Sequence, residues 1–136
     1  MVPFRRPTFY SGLMQLSLVM LGGALGAGAR HLAGRGVTAL VGPGFPWGTL
    51  AVNVIGGLAM GLLAGTLARS GGGEAWRLFL GTGVLGGFTT FSAFSLDTAL
   101  LYERGELGLA ALYVVGSVAL SIMGLFAGLA IVRHLT

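Results

Sequence analysis

The chain has 136 residues, one domain's worth, and its composition says more than its length. Residues of the apolar set make up 54%, glycine adds 26 more positions, and only 9% are charged, against about 25% in a typical soluble domain. With a mean hydropathy of +0.88, this surface cannot be hidden behind so little charge, which excludes a soluble monomer and leaves a membrane protein. Cysteine is absent, so disulfides, thiolate metal sites and thiol catalysis are excluded. His31 and His134, the two histidines, lie near segment ends and are too few for a zinc site. All eight basic residues are arginines scattered between apolar runs. They read as interface anchors, and not as the clustered patch that nucleic-acid binding requires. Enzyme chemistry has no foothold either: no nucleophile–base pair, metal cluster or phosphate loop appears.

Four apolar stretches, each near the ~20 residues of a spanning helix, fall at about 13–32, 47–68, 78–101 and 107–132. The fold class expected is an all-α membrane protein, with residues 1–136 as a single integral membrane domain. The intervening segments 33–46, 69–77 and 102–106 are too short for a second domain. Arg5 and Arg6 before an apolar run, then Ala27-Gly28-Ala29, also resemble a secretory signal. The length of that run and the three spans behind it favour its retention as the first helix. Under the four-span topology, one side carries Arg5, Arg6, Arg69, Arg77 and Arg133, and the other carries Arg30, Arg35 and Arg104. Five against three is a mild positive-inside bias, compatible with insertion both ways up.

Within the spans, Gly22-x3-Gly26, Gly57-x3-Gly61-x3-Gly65 and Gly124-x3-Gly128 allow close helix packing, within the chain and between subunits. Thr49 and Asn53 share a face of the second span. Asn53 reads either as an interhelical hydrogen bond or as a donor lining a pathway. Tyr113, Ser117 and Ser121 recur every four residues on the fourth span. They form a stripe of hydroxyls that either line a pathway or bond the carbonyls four residues back. In the third span, Gly86-Gly87 followed by Thr89-Thr90 is a poor sequence for an unbroken helix. A break at membrane depth requires burial in protein or a cavity, and its freed carbonyls can hold an ion. Asp97, near the end of that span, is the one acid in the predicted cores and reads as an interfacial helix-end acid, with Arg30 a candidate partner. What remains around the break is hydroxyls, an amide and phenyl rings, whose positive edges face an anion without holding it as tightly as a full charge would.

Three motifs in order then resemble a known family. Gly22-Gly23-x2-Gly26-Ala27-x2-Arg30, Gly48-Thr49-Leu50-x-Val52-Asn53-x2-Gly56 and Gly86-Gly87-x-Thr89-Thr90-Phe91-Ser92-x-Phe94-Ser95 are similar to those of the Fluc/CrcB fluoride channels, over all four spans. The resemblance implies an antiparallel, dual-topology homodimer in the prokaryotic cell membrane, with its third helix broken. Such a dimer is expected to pass fluoride passively through two pores. It implies pathway roles for Phe91, Phe94, Asn53, Thr49, Ser92, Tyr113, Ser117 and Ser121, and a vestibule place for Arg30. It also implies a structural Na+ at the dimer interface, on the backbone carbonyls of Gly86 and Thr89. Three departures accompany it: Ala93 where threonine is common, Asp97 where glutamate is usual, and Phe88 where a smaller aliphatic is common. Two rival readings are a proton-coupled exporter of the small multidrug resistance type, which needs a first-span acid where this chain has only Gln15, and a non-transporting assembly subunit.

Overall fold

The computed structural model describes the backbone of residues 9–135 and the side chains of residues 11–135; Arg5 and Arg6 lie outside the described residues. Helix α1 (Phe9–Val41) runs well past residue 32, because Ala39-Leu40-Val41 keep it going and no proline intervenes before Pro43. It stops where Gly42 takes φ +84 and donates its N–H to the Thr38 carbonyl at 2.9 Å, a left-handed turn that glycine permits without strain. Helix α2 (Trp47–Ser70) begins after Pro46 and closes on Gly71 in the same left-handed conformation. Residues 74–88 form α3, which comprises a turn of α-helix (Glu74–Trp76), a π-helical stretch (Arg77–Leu85) and a final turn (Gly86–Phe88). The chain is extended at Thr89 and Thr90, then resumes as α4 (Phe91–Glu103). Helix α5 (Leu107–Leu135) follows a tight turn at Gly105.

Counted as spans, these make four helices of 24 to 31 residues, each long and apolar enough to cross a membrane. The third, Glu74–Glu103, is the interrupted one. The sequence expectation for the break is met at Thr89-Thr90, two residues after the glycine pair.

Two seams organise the packing: α1 against α3, and α2 against α5. Both are built from the glycine stripes. A methyl added at Gly22 would meet the Phe79 carbonyl oxygen, one at Gly26 that of Val84, and one at Gly87 that of Gly23. Across the other seam, Gly61 lies against the Leu125 carbonyl and Gly128 against that of Leu58. Backbones this close gain van der Waals contact where lipid supplies no hydrophobic driving force. All three glycine repeats are therefore used inside the chain. The tight core is small: among the described residues, Val52, Leu101, Ala110 and Tyr113 are its buried hydrophobic members. Large apolar side chains such as Met14, Leu25, Leu112 and Phe126 face outward, as the faces of helices in lipid do.

The α2–α5 seam makes a direct prediction. Gly61→Leu forces the side chain into the Leu125 backbone and is expected to destabilise the protein by about 1–3 kcal/mol or more. Gly108→Ala adds a methyl that meets nothing within 4 Å and should shift stability by less than about 1 kcal/mol. Thermal unfolding in detergent, followed by size exclusion, measures both; equal melting of the two variants would contradict the close approach.

Candidate functional site

The break between α3 and α4 is held from the neighbouring helix. Asn53 on α2 accepts from the Thr90 N–H through Oδ1 at 2.8 Å and donates from Nδ2 to the Thr90 carbonyl at 3.0 Å. The Thr90 hydroxyl caps α4 by accepting from the Ala93 N–H at 3.1 Å. On the α3 side, the Thr89 N–H and hydroxyl both donate to the Leu85 carbonyl, at 3.0 and 2.9 Å. Arg30 reaches from α1 and donates its Nε–H to the Gly87 carbonyl at 3.1 Å. Arg30 is therefore not the partner of Asp97. That carboxylate accepts the Tyr113 hydroxyl at 3.0 Å instead.

Two cavities meet at this break, and Thr90 lines both. The first, of about 550 Å³, is lined by Arg30 and Thr49 among others, which puts the sequence-derived vestibule arginine on its wall. The second, of about 470 Å³, brings together Asn53, Phe91, Phe94, Ser117 and Ser121 with the apolar Met60, Val118 and Ile122. Five residues singled out in the sequence from three separate spans thus converge. Ser117 is only 4% exposed, and its hydroxyl has no partner among the described residues. The rings form a chain: Phe91 lies 5.5 Å from Phe94, Phe94 lies 5.2 Å from Tyr113, and Tyr113 meets Phe45 edge-on at 5.5 Å.

Other residues fall differently. Ser92 is exposed, with its hydroxyl 3.2 Å from that of Thr90, and it lines neither of these cavities. Tyr113 is buried behind the second cavity, between Phe94 and Phe45. Asn53 makes the interhelical bond considered for it, its amide tying α2 to the break, and it also lines the second cavity. Sequence reasoning missed Phe45, which sits in the α1–α2 connection and carries no motif, and it missed the pairing of Asp97 with Tyr113. The second could have been sought in the two polar groups that face each other near the α4–α5 turn.

The break also takes a helical donor away from a backbone carbonyl. In a continuous helix the Gly86 carbonyl would receive the Thr90 N–H, but that donor goes to Asn53. No group of three or more histidine, aspartate or glutamate side chains suited to a metal occurs among the described residues. A cation here would rest on neutral carbonyls, such as those of Gly86 and Thr89, as in other interrupted membrane helices.

Comparison with known proteins assigns the chain to a family. The family described as CrcB-like protein, Camphor Resistance (CrcB), matches residues 17–129. A relative from Novosphingobium aromaticivorans, named Fluoride-specific ion channel FluC, is 64% identical over 119 residues, covering 86% of this chain and 94% of that protein. Fluoride-specific ion channel FluC 2 of Nitrobacter hamburgensis is 61% identical over 124 residues, covering 90% of this chain and 100% of that protein. FluC of Sphingopyxis alaskensis is 60% identical over 118 residues, 86% of this chain and 94% of its own. With its glycine seams, its clamped break and its match across all four spans, the chain belongs to the CrcB family.

Proposed function

We propose that this protein is a passive, fluoride-selective channel of the prokaryotic cell membrane, working as an antiparallel homodimer with two pathways. The observation that carries the reading is the Ser117 hydroxyl, buried and unpartnered beside a cavity lined by Phe91, Phe94, Asn53 and Ser121. An unsatisfied buried hydroxyl costs about 1–3 kcal/mol, so it calls for a ligand that accepts a hydrogen bond. The names of the relatives supply the fluoride.

The chemistry follows from the lining. Fluoride is small and strongly hydrated, and a dry apolar passage would exclude it. Serine hydroxyls and the second N–H of the Asn53 amide replace its water stepwise. The ring edges of Phe91 and Phe94 add weak positive faces. Weak, multiple sites let the ion leave as well as enter. Hydrogen fluoride crosses lipid and dissociates inside, and a potential negative inside expels the anion at about 2.3 kcal/mol per charge per 100 mV. Efflux therefore needs no nucleotide and no coupling acid. Gln15, at the position where a first-span acid would favour proton coupling, donates to Glu74 at 3.4 Å near a helix end.

A second copy is supported by Phe91, which is 78% exposed in the single chain and so lacks the enclosure that a pathway wall needs. Opposed orientation is supported by charge: under the four-span topology the sequence puts Arg5, Arg6, Arg69, Arg77 and Arg133 on one side and Arg30, Arg35 and Arg104 on the other, a bias small enough for insertion both ways up. When bound, Na+ on the Gly86 and Thr89 carbonyls would supply positive charge that offsets their dipoles at the seam.

Reconstituted protein in liposomes, with valinomycin carrying the balancing K+ current, should release fluoride rapidly and chloride scarcely at all. No release from a folded, dimeric sample would overturn the channel. Phe91→Ile and Phe94→Ile each remove a ring contact worth about 0.5–1.5 kcal/mol and should slow fluoride by about two- to tenfold. Ser117→Ala separates lining from glue: it should slow efflux while leaving melting unchanged or raised, whereas lower melting would assign the hydroxyl to packing. Asn53→Asp loses a donor and puts a negative charge beside the ion. Repulsion of about 4 kcal/mol at 4 Å should cut the flux by about a thousandfold; unchanged flux would place Asn53 outside the pathway.

A further inference from the structure

The first cavity carries more positive charge than a fluoride pathway uses. Its α1 wall is a double stripe at helical spacing, Arg30, Gly34 and Thr38 beside His31, Arg35 and Ala39, and it faces Thr49 on α2 and Thr90 at the break. Among the described residues that line it there is no aspartate or glutamate. The nearest acid along α4, Asp97, is engaged by the Tyr113 hydroxyl. Arg30 spends its Nε–H on the Gly87 carbonyl, which fixes the guanidinium plane and leaves both terminal amino groups for a ligand. With about 550 Å³ available, the space far exceeds a bare halide.

We infer that this vestibule is an oxyanion site for a phosphate group, and that its occupant plugs the pathway it adjoins. Planar guanidinium forks match the paired oxygens of phosphate, while a halide meets them only as a point charge. His31 and the hydroxyls of Thr38 and Thr90 supply further donors. Two arginines and a histidine bind too tightly for an ion in transit, because conduction depends on weak sites. Thr90 belongs to both cavities, so a phosphate held here stands at the mouth of the fluoride route. The phosphate has two possible sources, free inorganic phosphate or the headgroup of an anionic lipid, since Arg30 and Arg35 lie on a membrane-spanning helix.

The blocking half rests on the channel reading, and the binding half does not. Fluoride efflux is measured from neutral phosphatidylcholine vesicles with and without inorganic phosphate, against potassium chloride at matched ionic strength to remove screening. A fourth arm uses vesicles containing phosphatidylglycerol and no free phosphate, and melting in detergent is recorded with and without inorganic phosphate. With phosphate at about ten times its dissociation constant, only about one-tenth of the sites stay open, so efflux should slow by about tenfold and melting should rise. In Arg35→Gln the ratio of efflux with phosphate to efflux without it should move towards one. Slowing in neutral vesicles identifies the free anion. Slowing confined to the phosphatidylglycerol arm, and relieved in Arg35→Gln, identifies the headgroup. Three results would each overturn the site: no change of flux or melting in any arm, the same slowing by chloride, or a phosphate response in Arg35→Gln equal to the original. Absent basal efflux would fail the channel reading alone, and the melting arm would still decide the site.

Discussion

A helix interrupted at membrane depth exposes backbone polar groups to hydrocarbon, where each one left unpaired costs several kcal/mol. Everything characteristic of this protein depends on how Thr89 and Thr90 avoid that cost. One side chain from a different helix, Asn53, satisfies both the N–H and the carbonyl of Thr90. The threonine hydroxyls act locally, Thr89 turning back to Leu85 and Thr90 capping α4. Because the clamp comes from α2, the start of α4 is fixed relative to α2 and not merely relative to α3. Phe91 and Phe94, one and four residues beyond Thr90, inherit that position.

Close helix approach is the second constraint, and it limits where a partner can sit. The glycine repeats suggested contact both within and between subunits, yet the structure places α1 on α3 and α2 on α5 through those same residues. That leaves the remaining apolar faces, including the one that displays Phe91, as the surface open to any second copy. A wide π-helical turn over Arg77–Leu85 runs along the α1 seam, where Gly22 and Gly83 stand backbone to backbone. The extra width is accommodated because no side chain intervenes there.

What the sequence made legible were the properties that composition and spacing encode. Hydropathy located four spans, the Gly-Gly and Thr-Thr pairs located the interruption, and a period of four found Ser117 and Ser121, which do share a cavity. Its failures have physical causes. Residues 33–46 read as a connection after the first span, but a helix tolerates Gly34 and Gly36 when its neighbours are good formers, and α1 continues to Val41. The π-helix has no local signature, since it differs from an α-helix only in which carbonyl each amide meets. Charge alone suggested Asp97 with Arg30, whereas the fold brings a phenol to the acid and a backbone carbonyl to the arginine. Ser92 lies in the signature but is exposed and lines neither of the two cavities.

Hydroxyls in membrane helices are common, and most of them say nothing about transport. The distinction lies in whether each one is already committed. Ser17, Thr66, Thr89, Ser95 and Thr98 each donate to the carbonyl four residues back, and to serve an ion they would have to give up that bond. Tyr113 is committed to Asp97. Ser117 sits on the same helix with no such commitment, although it is the most shielded from solvent of these serines and threonines. In an anion pathway, a buried donor with no protein partner would meet the ion without giving up a bond to the protein. Uncommitted donors of this kind are the weak sites that conduction requires, since a strongly hydrated ion must both enter and leave.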